Sequence, residues 1–300
     1  MAREMCVIFN PQSGRGRAAR RLATLQTQWA DKAVFWPTTQ PGHAEELASK
    51  AAAEGFAVVV AAGGDGTAHE VANGILNARN PNVAFGIVPI GSANDYAHSL
   101  QWWHALKQRE GDDVDVGVVR DATGRQRYFV CCLGLGFNGM VTLESRKIKR
   151  LQGLALYGLA TLRALWYHHA CPPMEVTIDD QPTAIVPTLM LSILLGRREG
   201  GFVLAPDALL DDGLFDYVHA DGLSRWEVLK LLPRLAIAGP PKNDPKVRLG
   251  RCRRIKLHSP APLAVHIDGE FFARPEDGVR DLEIWIQPRA LKVQMGLTAS

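Results

Sequence analysis

Three glycines and one carboxylate stand together in the segment Gly63-Gly64-Asp65-Gly66-Thr67, directly after the β-branched run Val58–Val60. The run predicts a buried central strand of a parallel sheet, and the glycines permit a sharp turn with unshielded backbone N–H groups. Thr67 and Glu70 form a capping-box pattern, which predicts a helix beginning at Thr67. Free amides and the dipole of a helix N-terminus attract anions, so this segment predicts a phosphate site.

The same segment has a plainer interpretation, in which it is a βα turn whose glycines serve packing alone. Short glycine motifs often match by chance, so a single turn does not separate the two interpretations. Asp65 favours the phosphate site. A carboxylate among phosphate-binding amides would repel the ligand unless a cation or an ordered water lies between them. The segment therefore predicts a nucleotide bound together with Mg²⁺.

Three other predicted strands also end in turns that carry Gly, Ser, Thr or Asn. Ordinary turn chemistry would explain each turn taken alone. In an open α/β sheet, however, the carboxyl ends of the strands share the edge that faces the ligand crevice. The strands are Cys6–Phe9, Ala33–Trp36 and Val83–Val88, and Asp95 is expected as the third residue of the helix after the last one. The candidate nucleotide-binding residues are Asn10, Ser13, Gly14, Thr38, Gly63, Gly64, Asp65, Gly66, Thr67, Ser92 and Asn94.

Carboxylates also cluster in two short segments of the second half of the chain. The loop Ala208–Leu214 contains Asp211 and Asp212 before a glycine, and its composition alone favours a solvated turn. The segment His266–Phe272 contains Asp268-Gly269 between apolar residues, which predicts a β-hairpin turn. A hairpin tip that projects into a cleft also suits a catalytic side chain, so both interpretations of this segment can hold.

Taken in order, these motifs resemble the diacylglycerol kinase catalytic-domain family, which includes sphingosine and ceramide kinases and soluble bacterial lipid kinases. The resemblance extends over nearly the whole chain. Ser92 stands where Thr is usual and keeps the hydroxyl, and His69 stands where Asn is usual. The motifs are Asn10-Pro11-x-Ser13-Gly14, Gly63-Gly64-Asp65-Gly66-Thr67, Pro89-x-Gly91-Ser92-x-Asn94-Asp95, Gly134-x-Gly136-Phe137, Gly153-x-x-x-Tyr157, Gly201-Phe202, Ala205-Pro206, Asp212-Gly213-x-x-Asp216 and Asp268-Gly269-Glu270.

The resemblance implies a kinase that uses ATP and Mg²⁺ to phosphorylate the hydroxyl of a diacylglycerol-like or sphingoid lipid. It also implies a structural Mg²⁺ held by Asp212 and the backbone carbonyls of Leu209 and Leu214, a donor set that suits this hard cation. Phosphoryl transfer to an alcohol needs an acceptor for the hydroxyl proton, and Glu270 is our candidate, with Asp268 supporting it. Asp65 is the third catalytic candidate.

Two rival functions remain open. An NAD kinase shares the Gly-Gly-Asp-Gly-Thr signature, although the Asn10-Pro11 turn, the Asp212 loop and Asp268-Gly269-Glu270 favour the lipid branch as a set. A catalytically inactive regulator that binds nucleotide or lipid is the second rival. The presence of Asp65, Asp212 and Glu270 argues against it.

The elements that must position these residues fall into two groups. A length of 300 residues favours two domains. Residues 1–112 predict an α/β nucleotide-binding domain with three layers and a mostly parallel sheet. Alternating polar and apolar strands in residues 113–285, one of them Tyr128–Leu133, predict a larger β-sandwich-like domain that contains one helix near residues 151–168. The resemblance adds a cleft between the domains and a return of residues 286–300 to the first domain.

Composition limits the partners. With 47% hydrophobic residues, 22% charged residues and a net charge of +3, the chain is that of a globular protein too weakly basic to predict nucleic-acid binding. Five cysteines without a CxxC pair, and no signal or membrane-spanning segment, predict a cytoplasmic protein with buried thiols. Two basic runs, residues 146–150 and 248–256, are either solvated faces or a membrane-facing rim. The oligomeric state is left open, with a homodimer as one option.

Overall fold

The computed structural model describes residues 4–11, 13, 17–91, 93–106 and 112–297. The chain forms two compact units. The first contains residues 1–116 together with 288–300, and the second contains residues 117–287. Two long strands, β5 (Asp113–Asp121) and β18 (Asp281–Gln294), each have residues in both units.

The first unit is an α/β domain with a parallel five-stranded sheet. Its strands lie in the order β2-β1-β3-β4-β18, and each pairs in parallel with its neighbour. The apolar runs that predicted β1, β3 and β4 are mostly buried, as parallel strands covered on both faces require, whereas β2 at the edge of the sheet is partly exposed. The elements are β1 (Met5–Phe9), α1 (Arg17–Gln28), β2 (Ala33–Pro37), α2 (His43–Ala53), β3 (Val58–Gly63), α3 (Asp65–Ala78), β4 (Ala84–Pro89) and α4 (Asp95–Leu106).

Two helix starts in this unit differ from the sequence prediction. Helix α3 begins at Asp65 rather than Thr67, and Asp95 is the first residue of α4 rather than the third. The predicted capping box at Thr67 does not form, because the carboxylate of Glu70 accepts the amides of Gly42 and Ala44 instead. Glu70 therefore caps the neighbouring helix α2, and a local pattern is overridden by a contact between two helices.

The second unit is β-sandwich-like, as predicted, and its sheets are antiparallel. One sheet has the order β14-β13-β10-β7-β16-β17, and the other contains β18, β15, β8 and β9 with the β5–β6 hairpin. The strands are β6 (Gln126–Phe129), β7 (Cys132–Gly136), β8 (Pro173–Ile178), β9 (Ala184–Pro187), β10 (Met190–Leu194), β11 (Arg198–Glu199), β12 (Phe202–Val203), β13 (Phe215–Ala220), β14 (Val247–Cys252), β15 (Arg254–His258), β16 (Val265–Ile267) and β17 (Glu270–Ala273).

The second unit is more helical than the sequence predicted. Besides α6 (Gly153–Tyr167), which was predicted, it contains α5 (Phe137–Ser145) and α7 (Arg225–Leu235), which were not. Helix α5 follows β7 directly, and its N-cap residue Gly136 has a positive φ angle. No polar linker separates the strand from the helix, so nothing in the sequence marked the helix start. The predicted single strand over residues 128–133 is instead the two strands β6 and β7, separated at Val130 and Cys131.

Buried apolar side chains form the cores of both units. In the second unit the core includes Phe137, Ala160, Ala164 and Val228, so the three helices share it with strand residues such as Val218. All five cysteines are free, and four of them are buried, which agrees with their predicted role as core residues. In the part of the chain that the structure describes, no helix is long and apolar enough to cross a membrane.

Candidate active site

The strand order of the first unit indicates which edge of the sheet would bind a ligand. Strands β2 and β3 lie on opposite sides of β1, so the connections run in opposite directions from β1 and from β3. In open α/β sheets, ligands bind outside the carboxyl ends of the strands at such a switch point. The turn after β1 contains Asn10 and Ser13, and the turn after β3 contains Gly64. Both turns therefore lie where this class of sheet binds its ligands.

The turns after β3 and β4 approach each other closely. A Cβ atom at Gly91 would lie 2.3 Å from the Cα of Gly64. The amides of Ile90 and Gly91 donate to the carbonyl of Gly63 at 2.8 and 3.1 Å. At Gly63, a Cβ would lie 2.3 Å from Oγ1 of Thr67. Packing alone thus requires glycine at these positions, which supports the plainer interpretation of the turn without excluding a bound phosphate.

Asp65 joins the same two turns through hydrogen bonds. Its carboxylate accepts the amide of Asn94 at 2.8 Å and that of Tyr96 at 3.3 Å. Because α4 begins at Asp95, these amides belong to the start of that helix, where a negative charge is favoured. Asp65 is therefore held between the N-termini of α3 and α4. The two amides stabilise its charge in this position, and the cation predicted from the sequence concerns the repulsion between this charge and a bound phosphate.

The remaining nucleotide-binding candidates are distributed around this edge. The amide of Ser13 donates to the carbonyl of Asn10 at 3.1 Å, and the amide of Thr38 donates to the carbonyl of Phe9 at 2.8 Å. Asn94 lies in a left-handed conformation, and its side chain donates to the carbonyl of Gly91. Gly66 lies in the first turn of α3. The candidates Gly14 and Ser92 lie outside the described residues.

In the second unit, Asp268 and Gly269 form the hairpin turn that the sequence predicted. Both residues have positive φ angles, 51° and 84°, and they connect β16 to β17. The Asp268 side chain is 5% exposed and accepts the amides of Val130, Cys131 and Cys132 at 2.8 to 3.0 Å. These amides lie between the end of β6 and the first residue of β7. Asp268 therefore anchors the hairpin to the connection between these two strands.

Glu270 follows the turn and is accessible. Its side chain is 41% exposed, and Oε2 forms a salt bridge of 2.8 Å with Nη2 of Arg146. The same guanidinium nitrogen donates to the carbonyl of Gly269 at 2.9 Å. Sequence reasoning placed Arg146 only in a basic run and missed this contact. The two residues are far apart in the chain, and no local pattern connects them.

The predicted metal loop is held by a side-chain ion pair and a backbone hydrogen bond. The carboxylate of Asp212 pairs with Arg251 and accepts the amide of Leu214 at 3.1 Å. The turn itself is tight, with Gly213 at a φ of 74°. Nearby, burial and the charge of Asp207 raise the pKa of Asp216 to about 6. Among the described residues, no three His, Cys, Asp or Glu side chains group as metal ligands.

These donors can still accept Mg²⁺. One carboxylate with backbone carbonyls is suitable chemistry for this ion. The competing cation, Arg251, is 45% exposed and can leave the carboxylate for solvent. Asp212 and the carbonyls of Leu209 and Leu214 are therefore suitable Mg²⁺ ligands once Arg251 has moved away from the carboxylate.

The fold and these sites define a class. A parallel α/β unit with glycine turns at its carboxyl edge is followed by an antiparallel unit that presents a glutamate on a hairpin. Residues 4–119 match the family model described as the diacylglycerol kinase catalytic domain. Residues 132–295 match the model described as the YegS C-terminal NAD kinase beta sandwich-like domain. The chain belongs to the diacylglycerol kinase family, and it is therefore a kinase.

Similar proteins agree with this assignment. A diacylglycerol kinase of Bacillus subtilis is 30% identical over 274 residues, which cover 88% of this chain and 89% of that protein. A diacylglycerol kinase of Staphylococcus saprophyticus is 28% identical over 279 residues, with 90% of each chain covered. The crystal structure of a diacylglycerol kinase from Bacillus anthracis Sterne has the same fold, with a TM-score of 0.68 at 16% identity, covering 99% of this chain and 98% of that one.

Proposed function

We propose that this protein transfers the γ-phosphate of ATP to the hydroxyl of a diacylglycerol-like or sphingoid lipid and requires Mg²⁺. The observation that carries the proposal is the contrast between two neighbouring carboxylates. Asp268 is buried and accepts hydrogen bonds from three backbone amides. Glu270 is partly exposed, and its carboxylate forms a salt bridge with the guanidinium of Arg146. Glu270 is thus the carboxylate that can receive a proton from a substrate hydroxyl.

The roles of the chain's residues follow from their positions. The turns after β1, β3 and β4 would bind ATP through backbone amides, with Asp65 fixing the turns after β3 and β4 relative to each other. Glu270 would orient the lipid hydroxyl and accept its proton as the P–O bond forms. Arg146 would hold the carboxylate and offset negative charge near it. Asp212 and the carbonyls of Leu209 and Leu214 would hold Mg²⁺, which adds positive charge to the fold.

The lipid substrate also implies contact with a membrane surface. Three exposed aromatic side chains lie near the junction of α6 and α7: Trp166 is 74% exposed, Tyr167 67% and Trp226 75%. The junction is held by Arg225, whose Nε donates to the carbonyl of Leu165 at 3.0 Å. Aromatic side chains beside cationic ones favour the interface of an anionic bilayer. We propose that this patch, Trp166, Tyr167 and Trp226, touches the bilayer.

The proposal is tested with labelled ATP and a panel that contains diacylglycerol, a sphingoid base, ceramide and NAD. We expect phosphorylation of a lipid, dependent on Mg²⁺, and none of NAD. The variant Glu270→Gln keeps size and hydrogen bonding but loses the base, so kcat should fall about 10²–10⁴-fold with ATP affinity retained. The control is Glu276→Gln, which changes an exposed glutamate shortly after β17.

Three results would contradict the proposal. Wild-type kcat in Glu270→Gln would remove the proposed base. Phosphorylation of NAD rather than lipid would favour the nucleotide kinase alternative. Nucleotide binding by calorimetry without turnover of any acceptor would favour the regulator.

A further inference from the structure

A cluster of four polar side chains, three of them buried, lies in the second unit and has no role in the mechanism above. Nε2 of His266 is 2.8 Å from Oε1 of Glu199, and Nδ2 of Asn138 lies 2.7 Å from both that oxygen and Oγ of Ser192. His266 is 3% exposed and Glu199 is 8% exposed. Burying an ionisable pair is expensive unless its geometry is good and its other atoms are satisfied.

The sheet leaves space for this cluster by means of one glycine. Ser192, Gly134 and His266 are paired in register across β10, β7 and β16. A Cβ atom at Gly134 would lie 2.3 Å from Nε2 of His266 and 2.4 Å from Oε1 of Glu199. Any other residue at position 134 would push the pair apart, so the Glu199–His266 contact depends on this gap in the row of side chains.

Stability alone does not account for the pair. An ionised Glu199 only accepts hydrogen bonds, so His266 donates from Nε2. Nδ1 of His266 and Oε2 of Glu199 are buried and have no hydrogen-bond partner within the described part of the chain. Each unsatisfied buried atom lowers stability, and two apolar side chains would pack here at less cost. Such exceptions in a native structure call for an explanation, which is either an ordered water or a positional or functional constraint.

The pair holds the strand that leads into the Glu270 hairpin. His266 is on β16, and the next residue, Ile267, is paired with Glu270 across the hairpin. The tip is anchored by Asp268 to the amides of residues 130–132. His266 adds a second anchor on the incoming strand, so the hairpin is fixed at both its tip and its side. With both anchors in place, the backbone of Glu270 has little freedom to shift.

Glu199 connects this anchor to helix α6. It lies in the β11–β12 ribbon beside Gly200, where a Cβ atom would be 3.0 Å from the ring of Tyr157. The hydroxyl of the same tyrosine is 3.9 Å from a Cβ position at Gly269. The ribbon, α6 and the hairpin tip therefore meet at Tyr157. The Glu199–His266 pair is a second link between the ribbon and the hairpin.

We propose that Glu199 and His266 are positioning residues for catalysis and set the place of the Glu270 carboxylate through the β16–β17 hairpin. The inference rests on the proposed role of Glu270 as proton acceptor. Neither residue touches the substrate. Loss of their contact lets the hairpin move and lowers kcat, while ATP binding by the first unit is unchanged. Displacements on the scale of 1 Å at a reacting group can reduce rates about 100-fold.

The test is a double-mutant cycle that combines His266→Asn with Glu270→Gln, read as kcat with labelled ATP and dioctanoylglycerol in detergent micelles. Asn is too short to place a donor at the position of Nε2, so kcat should fall at least about tenfold. His266→Gln can reach Glu199 and should restore most of the rate. In the Glu270→Gln background, His266→Asn should cause no further loss, because the group that it positions is already gone.

His219→Asn is the matched control. His219 is also a buried histidine of the same sheet, 2% exposed, and its Nε2 contacts Oγ1 of Thr188 at 2.8 Å. This variant should destabilise the fold as His266→Asn does. It should keep kcat within about twofold, because His219 lies on β13 and is paired with Leu191 of β10, not with the β16–β17 hairpin. If His266→Asn does not fold, as judged by its thermal transition, Glu199→Ala takes its place in the cycle, because it removes the acceptor of Nε2.

The outcomes separate the two proposals. An unchanged kcat in His266→Asn, an equal loss in both backgrounds, or an equal loss in His219→Asn would overturn the positioning role. A silent Glu270→Gln would instead overturn the proposed base, whatever His266→Asn does. A loss confined to the background that keeps Glu270 supports the positioning role.

Discussion

At the scale of residues, four carboxylates carry the proposed chemistry and differ in how their oxygens are occupied. Asp65 accepts two amides, and Asp268 accepts three. Asp212 pairs with Arg251 and accepts one amide. Glu270 pairs with Arg146 and is the most exposed of the four. The first two are fixed in place by the backbone, whereas the last two are held by side chains that can move.

Asp65→Asn should reduce both activity and stability. The amide keeps one acceptor oxygen but brings an N–H₂ group toward the amides of Asn94 and Tyr96. We expect kcat to fall at least about 100-fold if the carboxylate acts at the reaction centre. The loss of a helix cap should lower the free energy of unfolding by about 1 kcal/mol. Kinase assays and denaturant unfolding measure the two effects.

Glu70→Gln is the control for this prediction. Glu70 also accepts two helix N-terminal amides, those of Gly42 and Ala44, but it caps α2 instead of joining the two glycine turns. Its replacement should lower stability by a similar amount and leave kcat within about twofold. If the two variants lose the same activity, Asp65 contributes only as a cap.

Asp212→Ala should remove a stabilising effect of Mg²⁺. Because an ion that binds only the folded state raises its stability, Mg²⁺ should raise the melting temperature of the wild type and not of the variant. Arg251→Gln frees the carboxylate, so it should lower the Mg²⁺ concentration needed for the same shift. Thermal unfolding across a Mg²⁺ titration measures both.

The comparison variant for this loop is Asp221→Ala, which breaks a similar ion pair with Arg248 on the same strand, β14. It should keep the Mg²⁺ effect. A wild-type melting temperature that does not change with Mg²⁺ would count against an ion in the loop.

At the scale of elements, α5 and α6 are joined through one buried carboxylate. Glu144 is 1% exposed and lies within 3.1 Å of Lys147 Nζ, Arg163 Nε and His168 Nε2. Burial by itself would raise the pKa of Glu144, but hydrogen bonds from these three side chains lower it to about 2. This carboxylate is therefore ionised in the fold well below the pH at which it would protonate in the unfolded chain.

The pKa of Glu144 gives the sign of a pH effect. The folded value is below the unfolded value, so the stabilisation is complete above pH ~4.5 and is lost as pH falls toward ~2. At neutral pH, Glu144→Gln should lower the free energy of unfolding by about 1–3 kcal/mol, because the cations are half exposed and recover hydration. Between pH 5 and 3, the variant should lose less stability than the wild type does. Denaturant unfolding at several pH values measures this difference.

Glu283→Gln provides the comparison. Glu283 pairs with Arg120 and Lys256 at the surface and is 24% exposed, so its loss should cost less than about 1 kcal/mol. Equal losses in the two variants would show that Glu144 is only a surface ion pair.

At the scale of the whole molecule, the proposed function requires contact with a lipid, and the described part of the chain has no helix that could span a membrane. The double variant Trp166→Ala with Trp226→Ala removes the most exposed aromatic side chains of the proposed bilayer patch. Binding to vesicles that contain anionic lipid should weaken about tenfold, because buried apolar area contributes to interfacial affinity. Wild-type binding should also weaken with salt. Vesicle sedimentation measures both effects.

Ile185→Ala tests whether the location of the patch matters. Ile185 is 71% exposed on strand β9 and is not part of the patch on α6 and α7. Its loss should therefore leave vesicle binding unchanged. A similar decrease in both variants would indicate non-specific adsorption. Kinase activity on a short-chain, detergent-dispersed lipid should remain in the tryptophan variant, because the nucleotide turns and Glu270 are intact.

Sequence alone determined the features that depend on local patterns. The strands β1 to β4 of the first unit and the hairpin at Asp268-Gly269 follow from side-chain periodicity and turn chemistry. It also determined the family, because several motifs had to occur in one order. These features are properties of neighbouring residues, and a one-dimensional pattern records them.

Only the tertiary structure decided the partners of the functional side chains. Asp65 bonds to the amide of Asn94, 29 positions away, and Asp268 bonds to that of Cys131, 137 positions away. Glu70 caps another helix instead of its own. The Glu199–His266 pair forms over Gly134, whose strand lies between the strands of Ser192 and His266. A hydrogen bond depends on the distance between atoms in space, and sequence spacing sets that distance only within a single element.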